Sequence, residues 1–252
     1  MIIIKNAKQI EGIRKSSKLA AATLVYLSKF VKPGISTEEL NTIAHKYIIE
    51  HKAIPAPLNY GGFPKSICTS INNVVCHGIP SPKEILKEGD IVNLDITTIL
   101  NGYYGDTSAT YPVGKISPLV TDLIKTTKTV LDMSIRSLKA GKSLNNCVGK
   151  IIQPYAESKG YSVVRELGGH GVGIKFHEDP FVFHFDTKKD KVILKAGMIF
   201  TIEPMINSSS NPQVFIDRKD NWTVRTVDGS LSAQFEHTIL ITNNGYEILT
   251  TL

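Results

Sequence analysis

Two aspartates, Asp95 and Asp106, stand in the stretch GDIVNLDITTILNGYYGDTSATY (89–111), whose other residues read as buried strand. A carboxylate taken out of water without a partner is costly, so this pair requires neutralisation. Asn101-Gly102 is the signature of a two-residue type I′ hairpin turn, and it sets the register: Asp95 faces Ser108. Asp106, two residues from Ser108, shares a face with Asp95, with Cα atoms roughly 7–8 Å apart. Two carboxylates converging in this way could grip a cation.

A second acidic pair lies on two later strand-like runs. In MIFTIEP (198–204), Ile199, Thr201 and Glu203 share a face; in SAQFEHTILI (232–241), Gln234, Glu236 and Thr238 share one. Four carboxylates on one core raise each other's pKa and cannot all ionise unaided. A nitrogen ligand comes from ELGGHGVGIKFHEDP (166–180), where the glycines around His170 let the backbone approach a site closely. Asp95, Asp106, His170, Glu203 and Glu236 form a ligand set suited to two Mn, Fe, Co or Zn ions bridged by carboxylates and water.

Each of these residues has an ordinary reading when taken alone: a strand-edge charge for an acid, a backbone-bonded turn residue for His170. Their joint occurrence carries the metal reading. The glycine stretch does not match GxGxxG, which excludes a dinucleotide fingerprint. Cys76 and His77 are adjacent, so on an extended chain they point apart; Cys76 is read as packing rather than as a nucleophile.

The elements that must position these groups follow from periodicity. After a short initial strand, Asn6 caps a helix whose face carries Ile10, Ile13, Ala20, Leu24, Leu27 and Val31, and the turn KPG (32–34) stops it. Ser36 and Glu39 form a capping box for a second helix to about Glu50. Ser117-Pro118 opens a third, running to KAGKS (139–143), and a fourth runs to about Lys159. The pattern repeats itself: LKEGDIVNLD (86–95) matches LKAGMIFTIE (194–203) at an offset of 108, and KPGIS matches KAGKS at 107. Glu203 is thus the counterpart of Asp95. The fold class expected is α+β, one catalytic domain over 1–252 built from two pseudo-symmetric halves, roughly 1–115 and 116–252, each with two helices and an antiparallel sheet.

The chain has 252 residues, 42% hydrophobic and 21% charged, enough for a sizeable core; its net charge of +6 is spread rather than clustered and reads as a solvated surface. The three cysteines, Cys68, Cys76 and Cys147, fit neither a disulfide framework nor a metal knuckle. No signal peptide or membrane-length apolar run is seen, so a cytoplasmic protein without membrane contact is expected.

The blocks NYGGFPKSICTSINNVVCHGIP, GDIVNLDI, GYYGDTSATY, ELGGHGVGIKFHEDP, GMIFTIEP and SAQFEHT, in this order, closely resemble type I methionine aminopeptidases of the bacterial kind over nearly the whole chain. The resemblance implies the pita-bread fold and a dinuclear centre on the five ligands above, with the residues matching Asp106 and Glu236 bridging. It implies removal of the initiator methionine from new polypeptides with a small second residue, by water activated on the metal pair. Glu203 would shuttle the proton, while His77 and His177 would hydrogen-bond substrate and stabilise the tetrahedral intermediate and leaving amine. Tyr60, Phe63, Cys68, Phe176 and Trp222 would line the methionine pocket. A monovalent cation near Asn72, Val74 and Ser232 also belongs to that pattern. Pro57 and Asn59 depart from it, standing where relatives carry cysteine and glycine. The chain shows neither the zinc-binding extension nor the long insertion of other classes, so the short form is expected. Nascent chains are the expected partners, with ribosome association and a monomeric state.

Two rivals remain at this stage. Prolidases and aminopeptidases P share the five ligands but usually carry a further N-terminal domain. A metal-free binding protein on the same scaffold typically loses ligands, and all five are present here.

Overall fold

The computed structural model describes residues 1–252. Helix α1, Ala7–Ser28, opens under a reciprocal cap: Asn6 Oδ1 accepts the Gln9 N–H while Gln9 Oε1 accepts the Asn6 N–H. Helix α2, Thr37–Glu50, opens in the same way on Ser36 and Glu39, as the sequence predicts. Helix α3, Pro118–Ser137, has Ser117 as cap and proline in its first turn, where a missing amide costs no helical bond.

Three local expectations are corrected. The initial strand does not form; residues 1–6 join no ladder, and Lys5 N–H alone reaches the Gly197 carbonyl (2.9 Å). Helix α1 stops before the KPG turn because the amides of Phe30 and Val31 turn back to Leu27 and Ser28, tightening the final turn. The fourth helix is two pieces, α4 Leu144–Cys147 and α5 Gly149–Ser158, broken at Val148 (φ −117°, ψ −77°). The break backs Gly149 onto the Phe185 carbonyl, which a Cβ would meet at 2.2 Å.

Every strand pairing is antiparallel. The central hairpin joins Ile91–Leu100 to Tyr103–Pro112 in the predicted register, Asp95 opposite Ser108, across Asn101 and Gly102 with φ of 52° and 81°. Strand Cys68–Ile71 pairs on its other side, setting Cys68 against Asp95. A five-stranded sheet orders Tyr246–Ile248, His237–Ile241, Ile199–Ile202, Gly169–Gly171 and Glu178–Val182. One core cluster packs under α1 and α2 around Leu94 and Ile96; another packs under α3 to α5 around Phe200 and Ile202.

The turns that lead into these elements are tied alike at the 107–108 spacing. Gly34 N–H bonds the Leu86 carbonyl and Gly141 N–H bonds that of Leu194, both at 2.8 Å. Leu86 N–H returns to Ile35 and Leu194 N–H to Lys142, both at 2.9 Å. Ser36 bridges Ile85 as Ser143 bridges Ile193.

The run SAQFEHTILI is not one strand. Ser232–Gln234 pairs with Met205–Asn207, whereas His237–Ile241 pairs with Ile199–Ile202, and the chain changes sheets at Phe235 and Glu236. The change occurs because these residues bond the central hairpin instead: Glu236 N–H reaches the Ser108 carbonyl (2.9 Å) and Thr107 Oγ1 donates to the Glu236 carbonyl (2.8 Å).

Helix α1 rests directly on the hairpin, and Gly105 is where they touch. A Cβ there would stand 2.2 Å from the Ser17 amide nitrogen, a backbone atom that cannot rotate aside. Gly105→Ala is expected to cost about 2–3 kcal/mol, read as a lower denaturant midpoint at unchanged m-value.

Candidate active site

The hairpin, the sheet switch and the end of strand Ile199–Ile202 bring four carboxylates to one place. Oxygens of Asp95, Asp106 and Glu236 lie within 4.8 Å of one another. Asp106 and Glu236 are each 3% exposed. Glu203 follows the strand's last residue, where Pro204 ends the ladder, and Gln234 Nε2 (3.1 Å) and Thr201 Oγ1 (2.7 Å) donate to its two oxygens. Thr97 Oγ1 donates to Asp106 Oδ1 (2.7 Å). These hydroxyls and amides orient the carboxylates without cancelling charge, and no lysine or arginine forms an ion pair with any of the four.

The electrostatics follow from that imbalance. Burial pushes the Asp95 carboxyl up to about 7. Asp106, Glu203 and Glu236 are raised well above the usual carboxylate range, by burial first and then by mutual repulsion. His170 completes the group. Its Nδ1 lies 3.0 Å from the Gly171 carbonyl, an obligate acceptor, so Nδ1 carries the proton and Nε2 the lone pair. That lone pair stands 3.7 Å from both Asp106 Oδ2 and Glu203 Oε1, acceptor toward acceptor. Burial lowers the His170 pKa to about 3, which keeps the ring neutral. Four carboxylates and an imidazole lone pair facing one another without a donor between them is the arrangement a divalent cation fits, and the mixed oxygen and nitrogen donors suit a first-row metal.

The carboxylates form the floor of a cavity of about 660 Å³. Its wall contains all of Tyr60, Phe63, Cys68, His77, Phe176, His177 and Trp222. Phe63 stands edge-on to Trp222 (centroids 5.3 Å), and Tyr60 tilts against Phe176 at 4.8 Å. His177 stacks on Phe176 at 4.4 Å, lies 4.2 Å from the His170 ring, and shares a 2.9 Å hydrogen bond between Nδ1 and the Tyr60 hydroxyl. His77 sits in the left-handed region (φ 56°), which turns its ring out of the strand Val74–Cys76 toward Trp222, 6.2 Å away. Burial lowers both these imidazoles, His77 to about 4.

Known proteins are similar to this chain in sequence and fold. The profile of metallopeptidase family M24 matches residues 11–243. The chain belongs to metallopeptidase family M24. Methionine aminopeptidase of Buchnera aphidicola (subspecies Acyrthosiphon pisum) is 53% identical over 98% of this chain and 93% of that protein. The Escherichia coli K12 enzyme of the same name is 49% identical over 99% and 94%. The crystal structure of methionine aminopeptidase from Rickettsia prowazekii superposes with a TM-score of 0.96 at 49% identity, covering both chains fully. Prolidase from Pyrococcus furiosus, at 22% identity and TM-score 0.78, shares the fold over 99% of this chain and 62% of its own. This M24 chain is therefore a peptidase, a hydrolase of the methionine aminopeptidase kind, with the pita-bread fold. No helix in it is long and apolar enough to cross a membrane.

The two departures noted in the sequence have structural accounts. Asn59 adopts φ 66°, a left-handed conformation that asparagine tolerates nearly as glycine does. Pro57 lines the cavity and accepts the Tyr60 amide on its carbonyl (3.0 Å), holding the turn that presents Tyr60. Near the other sequence-derived site, the Asn72 carbonyl accepts the Ser232 N–H at 2.8 Å, and Ser232 Oγ is buried without a partner. Val74 lies nearby in a strand paired with Arg225.

Sequence reasoning missed the residues that hold the ligands. Thr201 lies two positions from Glu203 on the same strand face, and Thr97 stands opposite Asp106 in the hairpin register, so both placements were readable. His184 was not: its fully buried Nε2 accepts the Glu203 N–H (3.0 Å) from a segment whose place beside Glu203 only the fold determines. Gly169 was partly readable from the glycines around His170, and the structure gives its reason: a Cβ there would meet the Thr201 carbonyl at 2.4 Å.

Proposed function

We propose that this M24 peptidase removes an N-terminal methionine from polypeptides whose second residue is small. The observation that carries the reading is the aromatic cup opening directly onto the buried carboxylates, in a chain about half identical to proteins named methionine aminopeptidase. Phe63, Trp222, Tyr60 and Phe176, with Cys68, offer ring faces and a soft sulfur to an unbranched thioether, and rings and sulfur attract beyond simple area burial.

Asp95, Asp106, His170, Glu203 and Glu236 would hold two divalent ions of the Mn, Fe, Co or Zn kind. When bound, such ions polarise a carbonyl and bring the pKa of water toward neutrality. The chain's own groups do the rest. Glu203, desolvated and inclined to hold a proton, takes one at its carboxylate and releases it to the departing amine. His77 and His177, both neutral at pH 7, each offer one N–H to the substrate carbonyl and the developing negative charge. The Tyr60 hydroxyl fixes which His177 nitrogen is free for that work.

The same reading takes residues 1–252 as one catalytic domain of two halves, 1–115 and 116–252, supported by the recurring turn hydrogen bonds. It places the chain as a monomer in the cytoplasm, acting on nascent chains at the ribosome. A monovalent cation at Asn72, Val74 and Ser232 is part of it, supported by the unpartnered Ser232 hydroxyl.

A peptide panel tests the activity. With Mn, Co, Fe or Zn supplied separately, Met-Ala-Ser should be cleaved at least about 100-fold faster than Met-Leu-Ser, a margin of one crowded side chain, with Gly-Pro and X-Pro peptides inert. Preference for the proline peptides would replace this reading with the prolidase one.

A further inference from the structure

Phe176 and His177 ride on the irregular segment between strands Gly169–Gly171 and Glu178–Val182, with no ladder of their own to hold them. Backbone pairing of Gly171 with Glu178 and the Gly173 N–H bond to the Lys175 carbonyl (3.1 Å) close its base, and one carboxylate gathers the amides beside Phe176. Glu178 Oε1 accepts the amides of Ile174 (2.7 Å) and Lys175 (2.8 Å), while Oε2 receives Lys5 Nζ at 2.5 Å. The Lys5 and Glu178 side chains are 0% and 2% exposed. Lys5 is anchored in turn: its N–H bonds the Gly197 carbonyl (2.9 Å), and a Cβ on Gly197 would meet Ile4 at 2.7 Å. Gly197 lies in the turn that leads into strand Ile199–Ile202, which Glu203 follows.

A buried ion pair is weak evidence for stability, because desolvation of two ions offsets much of their attraction. A well-packed apolar pair could fill the same space. An apolar residue at 178, however, could not collect two loop amides, and a lone carboxylate could not stay buried without the ammonium. The pair therefore makes sense as a device that fixes backbone position.

We propose that Lys5 and Glu178 are positioning residues for His177: their buried ion pair ties the 174–177 segment to the body that carries Glu203. This rests on the aminopeptidase reading for its kinetic arm alone. His177 is otherwise held by ring contacts with Phe176, which shares the segment, and with His170 and Tyr60, which lie outside it, so a shifted segment changes its geometry against both.

The test is a cycle between Lys5→Met and His177→Ala, with kcat, KM, bound metal and amide exchange measured on each full-length chain. Lys5→Met should lower kcat about tenfold in the otherwise intact chain, KM and metal content staying within twofold, and less than about twofold in the His177→Ala background. Lys5→Arg should recover most of the loss. Equal losses in both backgrounds, or a folded Lys5→Met chain with full turnover, would overturn the proposal. If Lys5→Met does not fold, Glu178→Gln, which keeps an oxygen for the two amides, enters the same cycle with the same outcomes. Independently of turnover, exchange at the Ile174 and Lys175 amides should quicken about tenfold while Phe200 and Ile202 keep theirs. Unchanged exchange at 174 and 175, or acceleration throughout the chain, counts against it. A wild-type chain that cleaves no methionyl peptide would remove the functional reading and leave the exchange arm to decide the tie.

Discussion

Glu203→Gln should lower kcat/KM for Met-Ala-Ser by about 10³-fold, the scale of losing a positioned acid–base group, at nearly unchanged fold. The substitution is isosteric, and Thr201 Oγ1 can still donate to the remaining oxygen. What disappears is the proton acceptor that the proposed mechanism assigns to Glu203, together with one carboxylate among the four acids. Asp106→Asn should be comparably severe through another route. Thr97 would keep the side chain in place, but the charge facing Asp95, Glu236 and the His170 lone pair would be gone. Steady-state kinetics with metal analysis on the same preparations separates the two: metal falls in Asp106→Asn more than in Glu203→Gln. Turnover within tenfold of wild type for either variant would contradict the assigned chemistry.

Removing metal should abolish activity and lower Tm by about 5–10 °C, since a ligand present at roughly 100 times its Kd stabilises the native state by about 2.7 kcal/mol. The carboxylate cluster gives this loss an unusual pH dependence. In the metal-free chain the folded-state pKa of Asp95 is raised from its ordinary 3.8 to about 7, so the folded form binds the proton more tightly than the unfolded one. That contribution to stability is complete below the unfolded pKa and is lost as pH rises from 3.8 toward about 7. Asp106, Glu203 and Glu236 shift in the same direction. Loaded with metal, the same carboxylates must be ionised to bind it, and the dependence reverses. Asp95→Asn should therefore stabilise the stripped protein by on the order of 1 kcal/mol at pH 7.5 while destroying activity, because it removes a carboxylate whose charge burial makes costly. Thermal scans of both chains with and without chelator decide this; destabilisation of the stripped Asp95→Asn chain would show that burial of the Asp95 charge is not what costs the stripped fold stability.

The opposed demands of stability and ligation also explain why much of the site was legible beforehand. Buried acids on apolar strands break the local pattern, and such breaks concentrate where function compensates for them. Asp95 and Asp106 were located together because Asn101-Gly102 admits a single tight register. The capping boxes at Asn6 and Ser36 were legible for the same reason, each depending on residues three apart.

Failures arose where a distant segment overruled the local signal. The run 232–241 has the alternation of one strand, yet it divides between two sheets because Glu236 is drawn to Ser108 by hydrogen bonds across 128 positions of chain. The break at Val148 answers to Phe185, and the lost initial strand answers to Gly197.

Sequence alone determined the candidate ligand types, the hairpin that pairs two of them, and the repeated turns at the 107–108 spacing, because each depends on residues near in the chain or on a recurring motif. Tertiary structure alone decided that Gln234 and His184 orient Glu203 and that Lys5 reaches Glu178. Hydrogen bonds and ion pairs act over about 3 Å, and no periodicity in a chain specifies which far-off groups folding will bring within that distance.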